Sequence, residues 1–216
     1  MAQINKPNLH FNTKLYTGNG STQHSITGVG FQPDFVWIKS RDDAYSHFWF
    51  DAVRGVGKQI YSNSANAQGT NLNNLYSFDS DGFSLAQSGN DDVTNKNNSN
   101  FVSWNWKANG AGSANSDGTL SSTVSVNTTA GFSIVKYTGN GSSGATVGHG
   151  LGAKPDVIIL KSYENGQQWA AYWEALGATK YMRFNTTNAV ATSAARWNDT
   201  EPTTSVFTIG NDGEVN

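Results

Sequence analysis

Cysteine is absent from the 216-residue chain, which excludes disulfide bonds, thiolate nucleophiles and the usual structural zinc sites. An excess of one charge is also missing, because 14 Lys and Arg residues stand against 16 Asp and Glu residues, for a formal net charge of −2. Without a basic field to follow a phosphate backbone, we expect no nucleic-acid partner. No stretch approaches about 18 uninterrupted apolar residues and the N-terminus has no apolar core, so we expect neither a membrane span nor a secretory signal.

Charged residues are scarce, at 14% against about 25% in an ordinary soluble domain. Aromatic residues nevertheless make up 12% of the chain, which distinguishes it from a disordered polypeptide. Uncharged side chains such as those of Asn, Ser and Thr must therefore solvate most of the surface. This composition favours a folded all-β protein with many turns.

The chain repeats itself at a spacing of about 122 residues. The matching segments, which follow in the same order, are 14–20 with 135–141, 28–40 with 150–162, 47–52 with 171–175, 58–61 with 180–183, and 82–85 with 206–209. This order predicts a tandem duplication. A chain of this length is long enough for two modules of about 100 residues, each with its own core.

Short apolar segments separated by Gly, Asn, Asp and Ser predict strands throughout the first copy. The predicted strands are near residues 10–17, 34–40, 46–52, 58–62, 73–78, 82–87 and 101–107. Residues 101–107 alternate between Phe, Ser, Asn and Lys on one face and Val, Trp and Trp on the other, which is typical of a strand with one buried face.

The number and spacing of these strands predict an all-β protein of two tandem β-sandwich or jelly-roll modules. The modules are expected at residues 1–108 and 121–216, joined by a Gly/Asn/Ser linker at 109–120. Residues 169–176 contain good helix formers, but their counterpart in the first copy is a predicted strand, so we predict a strand here too. Residues 189–195 fit either one helical turn or a loop.

Several segments together resemble a repeated module of marine-phage virion proteins that is uncharacterised and is described as tail-fibre or concanavalin A-like. The resemblance covers the chain from about residue 11 to 216 and is carried by Tyr16–Gly20, Gly28–Lys39, Phe50–Gly55, Asp79–Leu85, Asp117–Thr119, Gly131–Gly141, Ala178–Tyr181 and Arg196–Phe207. It implies a virion component with a β-sandwich fold.

The second copy departs from that resemblance at its end. Copies in that family close with an aromatic strand, which residues 101–107 represent in the first copy, whereas the second copy reaches Asn216 before any equivalent segment. A missing strand leaves an open sheet edge, and proteins normally cover such edges. We therefore expect either that the chain continues beyond Asn216 or that a neighbouring subunit supplies the strand.

Two acidic residues lie in aromatic surroundings, where a glycosidase would need them: Asp51 and its counterpart Glu174. They occupy equivalent places in different copies, so nothing in the sequence brings them into one site. No G-x-S-x-G motif is present, and the four His residues share no metal-ligand spacing. The sequence therefore predicts a protein that is not an enzyme.

Acidic and amide side chains near the end of each copy are candidate Ca²⁺ ligands. They are Asp79, Asp81, Asn90, Asp91 and Asp92 in the first copy, and Asp199, Glu201 and Asp212 in the second. Their spacing is not that of an EF-hand, and turn-forming Asx residues explain the pattern more simply. We therefore predict no cofactor and no catalytic metal, with Ca²⁺ as the one candidate ion.

The seven tryptophans are candidate sugar platforms, because exposed aromatic rings stack on sugar rings. Trp37, Trp104 and Trp106 lie in predicted strands, and we expect them to fill a core between sheets. Trp49 and Trp173 fit either a core or a surface position.

A second aromatic set lies in less regular, more polar segments. Tyr45, Trp169 and Trp197 are therefore predicted to be exposed and to be the ligand-binding residues.

The resemblance implies a non-catalytic phage virion structural protein, most simply an exposed tail-fibre or appendage component on the virion surface. Its expected role is adhesion to a host-surface glycan or contact with other virion proteins, as a homo-oligomer for which fibres favour a trimer. The alternatives are a capsid surface decoration protein and, from a different class, a carbohydrate-active enzyme.

Overall fold

The computed structural model describes residues 4, 6–86 and 93–216, which form two compact units. Unit 1 comprises Met1–Tyr61 and Gln68–Ala111, and unit 2 comprises Ser62–Ala67 and Gly112–Asn216. A short segment of unit 2 therefore lies between two strands of unit 1 in the sequence. Across the described residues, no helix is long and apolar enough to cross a membrane.

The described part of unit 1 contains nine strands, paired antiparallel in two sheets. The strands are β1 (Phe11–Thr17), β2 (His24–Thr27), β3 (Phe35–Ser40), β4 (Phe48–Asp51), β5 (Lys58–Tyr61), β6 (Gly69–Thr70), β7 (Ser77–Asp79), β8 (Gly82–Leu85) and β9 (Asn100–Trp106). One sheet has six strands in the order β1-β9-β3-β4-β5-β6, and the other has three in the order β2-β8-β7. A 3-10 helix at Pro7–Leu9 precedes β1.

The two sheets of unit 1 share one buried apolar cluster, to which β3, β4 and β9 contribute from the six-stranded sheet and β2 and β8 from the three-stranded sheet. Its buried members are Ile26, Val36, Ile38, Phe48, Phe50, Leu75, Phe83, Leu85 and Phe101. Full burial of such a side chain contributes roughly 1.5–3 kcal/mol. The arrangement is β-sandwich-like, and the predicted all-β class is confirmed.

Nine further strands lie in the described part of unit 2. They are β10 (Ser113–Asn115), β11 (Ser122–Asn127), β12 (Phe132–Tyr137), β13 (Ala145–Gly148), β14 (Val157–Leu160), β15 (Ala170–Trp173), β16 (Lys180–Arg183), β17 (Ala191–Thr192) and β18 (Val206–Ile209). They form three sheets in the orders β10-β11-β12, β13-β18 and β14-β15-β16-β17. One short helix, α1 (Ala194–Trp197), begins where the Ser193 hydroxyl accepts a hydrogen bond from the Ala195 N–H.

The core of unit 2 lies between β13, β15, β18 and α1. Its buried members are Ala145, Val147, Ala170, Tyr172, Ala178, Trp197, Phe207, Ile209 and Val215. Half-buried side chains of β12 and β14 pack against its margin.

Several hydrogen bonds of unit 1 recur in unit 2 at a spacing of about 121 or 122 residues. The bond from Tyr16 Oη to Thr94 O (2.8 Å) corresponds to that from Tyr137 Oη to Val215 O. The bond from Asn19 N to Asn95 Oδ1 (3.1 Å) corresponds to that from Asn140 N to Asn216 Oδ1 (2.7 Å). The bond from Lys39 Nζ to Asp43 O (3.0 Å) corresponds to that from Lys161 Nζ to Asn165 O (3.0 Å). Equivalent residues of the sequence repeat thus make equivalent contacts.

Each strand predicted in the first copy overlaps an observed strand, but the sequence analysis missed β2 and β6. The four residues of β2 include a single apolar side chain, Ile26, and β6 is only a Gly-Thr pair. β10 lies within residues 109–120, where the composition predicts a linker. Within residues 169–176, β15 is followed by a 3-10 helix, Glu174–Leu176. The strand agrees with the prediction from the repeat, which favoured a strand over a helix in this segment.

Candidate functional site: an aromatic sheet face

The site begins with the alternation of β9. Its core-facing side chains, Phe101, Ser103 and Asn105, are completely buried. The small Ser and Asn side chains fit there because the large rings of β4 and β8 already fill the core. The tryptophans of β9 consequently lie on the opposite face of the six-stranded sheet.

Register across the sheet extends this face to neighbouring strands. Trp104 lies opposite Thr13 of β1 on one side and Trp37 of β3 on the other. Trp37 in turn lies opposite Trp49 of β4, and the two indole rings are 5.3 Å apart between centroids. The Trp37 and Trp104 rings are 5.1 Å apart.

We call this surface the aromatic face. Its members are Phe11, Leu15, Phe35, Trp37, Trp49, Val102, Trp104 and Trp106. Further ring contacts connect Phe11 with Trp106 at 4.7 Å and Trp106 with Phe35 at 5.2 Å. Tilted and edge-on ring pairs of this kind contribute about 0.5–1.5 kcal/mol each beyond simple burial.

Exposure of the aromatic face increases from β4 towards β1. Trp49 is buried, Trp37 and Trp104 are half-buried, and Phe11 and Leu15 are 37% and 63% exposed. The expectation that Trp37, Trp104 and Trp106 fill the core between sheets is therefore wrong. The alternating sequence pattern correctly assigned the side chains of β9 to two faces. The face that packs in the core is the one with Phe101, whose ring stacks on Tyr16 at 5.1 Å.

The β1 and β9 part of the aromatic face carries no charged side chain, whereas β3 places Lys39 on the same face, opposite Val102. On this face β1 presents Phe11, Thr13 and Leu15, and β9 presents Val102 and Trp104. None of these side chains is charged. Such a surface suits the apolar side of a sugar ring or another flat, neutral group, with the Thr13 hydroxyl available for a hydrogen bond.

The predicted exposure of Trp169 is wrong. Its side chain is 1% exposed, directly before β15, and its Nε1 donates to Ser64 O at 3.0 Å. Its backbone N–H donates to Asn185 Oδ1 at 3.1 Å. Both partners are distant in sequence, so the polar residues next to Trp169 do not reveal that its indole is covered.

The predicted exposure of Trp197 is also wrong. This residue ends α1, is 2% exposed and packs in the core of unit 2 with its ring 5.8 Å from Tyr172. Tyr45 is half-buried at the margin of the unit 1 core, with Lys96 Nζ 5.8 Å from its ring centroid. The three residues predicted as a ligand-binding set therefore do not form an exposed aromatic surface.

Asp51, one of the two acids considered for catalysis, has a structural role. It is 4% exposed and accepts hydrogen bonds from Arg54 N (2.8 Å) and Arg54 Nε (2.5 Å). Arg54 also donates to Trp49 O at 3.2 Å, which ties this ion pair to the strand that carries the aromatic face. The second acid, Glu174, belongs to unit 2 and is exposed.

Glu201 is the most extensively bonded acid near β15. It accepts hydrogen bonds from Tyr172 Oη at 2.5 Å and from Ala178 N at 2.7 Å, and Lys154 Nζ lies 3.1 Å from Oε2. The Tyr172 hydrogen bond, followed by those of Ala178 and Lys154, lowers the pKa of the Glu201 carboxyl. Lys154 lies 3.7 Å from Glu174 as well, so one ammonium group serves both carboxylates.

The acids considered as Ca²⁺ ligands in unit 1 are used in turns. Asp81 accepts hydrogen bonds from the N–H groups of Gly28 (2.9 Å) and Gly30 (2.6 Å), which lower the pKa of its carboxyl. Asp79 accepts one from Ser84 Oγ at 2.6 Å. These bonds fix the loops around β2 and β8.

Those of the remaining candidate ligands that the structure describes form no ion site. Asn90, Asp91 and Asp92 lie outside the described residues. Asp212 is ion-paired with Arg196. Within residues 4, 6–86 and 93–216, no group of three or more His, Asp or Glu side chains is arranged to hold a metal ion.

A buried charge cluster in unit 2 was not predicted from the sequence. Glu214 accepts a hydrogen bond from Arg183 at 2.7 Å and forms an ion pair with Arg196 at 2.9 Å. Arg196 also pairs with Asp212 and lies over the Tyr181 ring. Arg196 and Glu214 are each about 4% exposed. In the sequence, the acids at positions 212 and 214 were the one sign of this charge cluster, because Arg183 and Arg196 lie on different elements, β16 and α1.

A family model matches residues 6–216 and identifies the chain as a member of the DUF7483 family, a domain of unknown function. Neither a curated protein nor a solved structure matches the chain significantly.

Proposed function

We propose that this member of the DUF7483 family is a non-catalytic binding protein that attaches to a neutral glycan through the aromatic face. The proposed setting is an exposed appendage of a phage virion, such as a tail fibre, where the glycan would belong to the host surface. Contacts with other virion proteins and assembly as a homo-oligomer, a trimer for a fibre, are part of the same proposal.

The observation that carries this proposal is the exposed end of the aromatic face. Trp104, Leu15 and Phe11 present a flat apolar surface on rigid, paired strands, so little conformational entropy is lost when a ligand stacks on it. The β1 and β9 positions of this face carry no charge, and the ammonium group of the adjacent Lys39 is held by Asp43 O at 3.0 Å, which favours an uncharged sugar over an acidic one. Of the two acids considered for catalysis, Asp51 is held by Arg54 and Glu174 lies 3.7 Å from Lys154, which supports binding without chemistry.

We further propose that the two units descend from an internal duplication of one sandwich module of jelly-roll type. The recurrence of the Tyr16, Asn19 and Lys39 hydrogen bonds in unit 2 supports this proposal.

The test is a screen of neutral oligosaccharides, followed by calorimetric titration of each sugar that binds. Trp104→Ala is expected to weaken binding at least about tenfold, which corresponds to about 1.4 kcal/mol. Leu15→Ala, which removes a more exposed contact, should have a smaller effect in the same direction.

Trp173→Ala is the matched control, because Trp173 is 39% exposed but lies on β15 of unit 2. It should leave binding unchanged. Failure of all neutral sugars to bind, or equal losses in the Trp104 and Trp173 variants, would contradict the proposal.

A further inference from the structure

Asparagine is followed directly by glycine four times in the chain, at Asn19-Gly20, Asn109-Gly110, Asn140-Gly141 and Asn165-Gly166. In such a pair the main-chain nitrogen of the glycine can attack the side-chain amide carbon of the asparagine, because glycine has no Cβ to block the approach. The nitrogen must give up its proton to react, so a hydrogen bond from its N–H to a fixed acceptor opposes the attack. The fold therefore decides which of the four pairs is reactive.

The pair that follows β1 is held at both reacting groups. Gly20 N donates to Asn95 O at 3.0 Å. The Asn19 side-chain oxygen accepts hydrogen bonds from Asn95 Nδ2 at 3.1 Å and from Ser21 N at 3.0 Å. The attacking nitrogen and the amide it would attack are thus both fixed by other partners.

The equivalent pair of unit 2 is held in the same way. Gly141 N donates to Asn216 Oδ1 at 2.9 Å, and the Asn140 side-chain oxygen accepts from Ser142 N at 2.9 Å. At the pair that follows β9, Asn109 also has an interaction within the fold. In three of the four pairs the asparagine or its glycine is therefore engaged.

The pair Asn165-Gly166 differs from the other three. Both residues are exposed in the turn between β14 and β15. Among the described residues, neither the Asn165 side chain nor the Gly166 N–H has a hydrogen-bond partner. The turn is held instead through the Asn165 main-chain carbonyl, which accepts from Lys161 Nζ at 3.0 Å and from Gln167 N at 2.9 Å. The two groups that would react are accessible to water while the turn around them is fixed.

Unit 1 shows that an acidic side chain fits this turn. The counterpart of Asn165 at the spacing of the repeat is Asp43. Its main-chain carbonyl accepts from Lys39 Nζ at 3.0 Å, as that of Asn165 accepts from Lys161 Nζ. Replacement of the Asn165 amide by a carboxylate is therefore compatible with the main-chain contacts of the turn.

We infer that Asn165 is a self-modification site, at which the folded protein converts an asparagine to aspartate and isoaspartate without an enzyme. Gly166 N forms a bond to Asn165 Cγ, the Cγ–Nδ2 bond breaks, and ammonia leaves with the proton of the attacking nitrogen. The product is a cyclic imide, which one water molecule then opens. Attack of water at Cγ gives aspartate, and attack at the main-chain carbonyl carbon gives isoaspartate. Water is the one co-reactant.

Either product adds one negative charge to the formal net charge of −2. In isoaspartate the former main-chain carbonyl, to which Lys161 Nζ donates, becomes part of a free carboxylate. The modification therefore gives the Lys161 ammonium group a partner of opposite charge. The inference concerns this turn of unit 2 and does not depend on what the protein binds through its aromatic face.

The test follows the intact protein during incubation at mildly alkaline pH, with peptide mass spectrometry after digestion. The peptide that contains Asn165 should gain the mass difference between an amide and a carboxyl group at least about tenfold faster than those that contain Asn19 or Asn140, which corresponds to about 1.4 kcal/mol in the barrier. Enzymatic methylation of the free carboxyl group identifies isoaspartate. In the same protein unfolded in urea, the protecting hydrogen bonds are lost and the three sites should react at similar rates.

Gly166→Ala is the control variant. The φ angle of Gly166 is outside the left-handed region, and a Cβ there would meet only Ala65 O at 3.7 Å, an ordinary contact. The variant should therefore fold, while its Cβ hinders the attack and slows the reaction at Asn165 at least about tenfold. Reaction at Asn19 and Asn140 should not change.

Equal rates at Asn19, Asn140 and Asn165 in the folded protein would overturn the inference, because the fold would then not select one site. So would an Asn165 amide that persists in the folded protein while the unfolded chain reacts, or a Gly166→Ala protein that reacts as fast as the unmodified one. None of these results depends on glycan binding, so this test and that of the proposed function fail independently.

Discussion

Arg196 and Glu214 form a buried ion pair at 2.9 Å that joins α1 to the last residues of unit 2. Glu214 is also paired with Arg183, and Arg196 with Asp212, so both members of this pair have a second partner of opposite charge. The adjacent Val215 side chain is 3% exposed in the core. The C-terminal segment is thus held by charge pairing and apolar packing together.

Glu214→Ala should destabilise unit 2 by about 3 kcal/mol, because Arg183 loses its carboxylate partner and the buried Arg196 keeps only Asp212. Replacement of both Arg196 and Glu214 by apolar residues of similar volume should cost less than this single change. Chemical denaturation followed by tryptophan fluorescence measures both values.

The control for this prediction is Lys96→Ala, which breaks the more exposed ion pair between Lys96 and Asp43. Its effect should be much smaller, since solvent screens exposed pairs. A Glu214→Ala protein as stable as the Lys96→Ala protein would show that the buried cluster does not stabilise the C-terminal segment.

Tyr137→Phe should destabilise the protein by about 1 kcal/mol, because Val215 O loses its hydrogen-bond donor. Tyr16→Phe should have an effect of similar size through Thr94 O, to which the Tyr16 hydroxyl donates at 2.8 Å. Thermal unfolding of the two variants side by side measures whether the recurring contact has the same value in both units. A loss of stability in only one of the two variants would show that the two hydrogen bonds do not contribute equally.

Alkaline pH should weaken the fold through the same two tyrosines. Burial raises the pKa of Tyr16 and of Tyr137 above the ordinary value of 10.0, so both stay protonated in the folded protein when the unfolded chain has begun to ionise. Their contribution to the free energy of unfolding is complete below pH 10 and decreases as the pH rises above it. Measured from pH 9 to 11.5, the decrease should be shallower in the Tyr137→Phe protein than in the unmodified protein.

Mild acid should destabilise the surroundings of His149. Burial lowers the pKa of its imidazole, against smaller raising effects of the Thr203 hydrogen bond and Asp117. The ring accepts from Leu151 N at 3.2 Å through Nδ1 and lies 3.3 Å from Thr203 O through Nε2, as suits a neutral imidazole. Because the unfolded chain binds the proton first, this stability is complete above pH 6.5 and decreases as the pH falls through the folded-state pKa.

Two measurements check this expectation. The imidazole proton resonances of His149 should titrate with a midpoint below 6.5. His149→Gln, whose amide offers both a donor and an acceptor, should reduce the loss of stability between pH 7 and 5. A midpoint at or above 6.5 would contradict the proposed neutral state.

Local patterns in the sequence predicted the strands well, because strand formation depends largely on residues that are close in sequence. Alternation identified β9, and the repeat outweighed helix propensity at residues 169–176, where β15 forms. Which face of β9 enters the core could not be predicted, since both faces carry aromatic rings. That choice depends on the stacking of Phe101 on Tyr16, from a strand about 85 residues earlier.

The candidate site depended more strongly on distant contacts. The polar neighbourhood of Trp169 suggested exposure, but its indole bonds to Ser64 O, 105 residues away. Trp197 is buried because α1 turns its ring into the core beside Tyr172. The aromatic face arose instead from strand register, which no single segment reveals.

The assignment of residues 62–67 to unit 2 means that no single cut in the chain separates the two units. A fragment starting at Gly112 would lose Ser64, and with it the acceptor for the Trp169 indole. Excising 62–67 from unit 1 would in turn break the connection between β5 and β6. Each unit therefore depends on two stretches of sequence that are separated by a segment of the other unit.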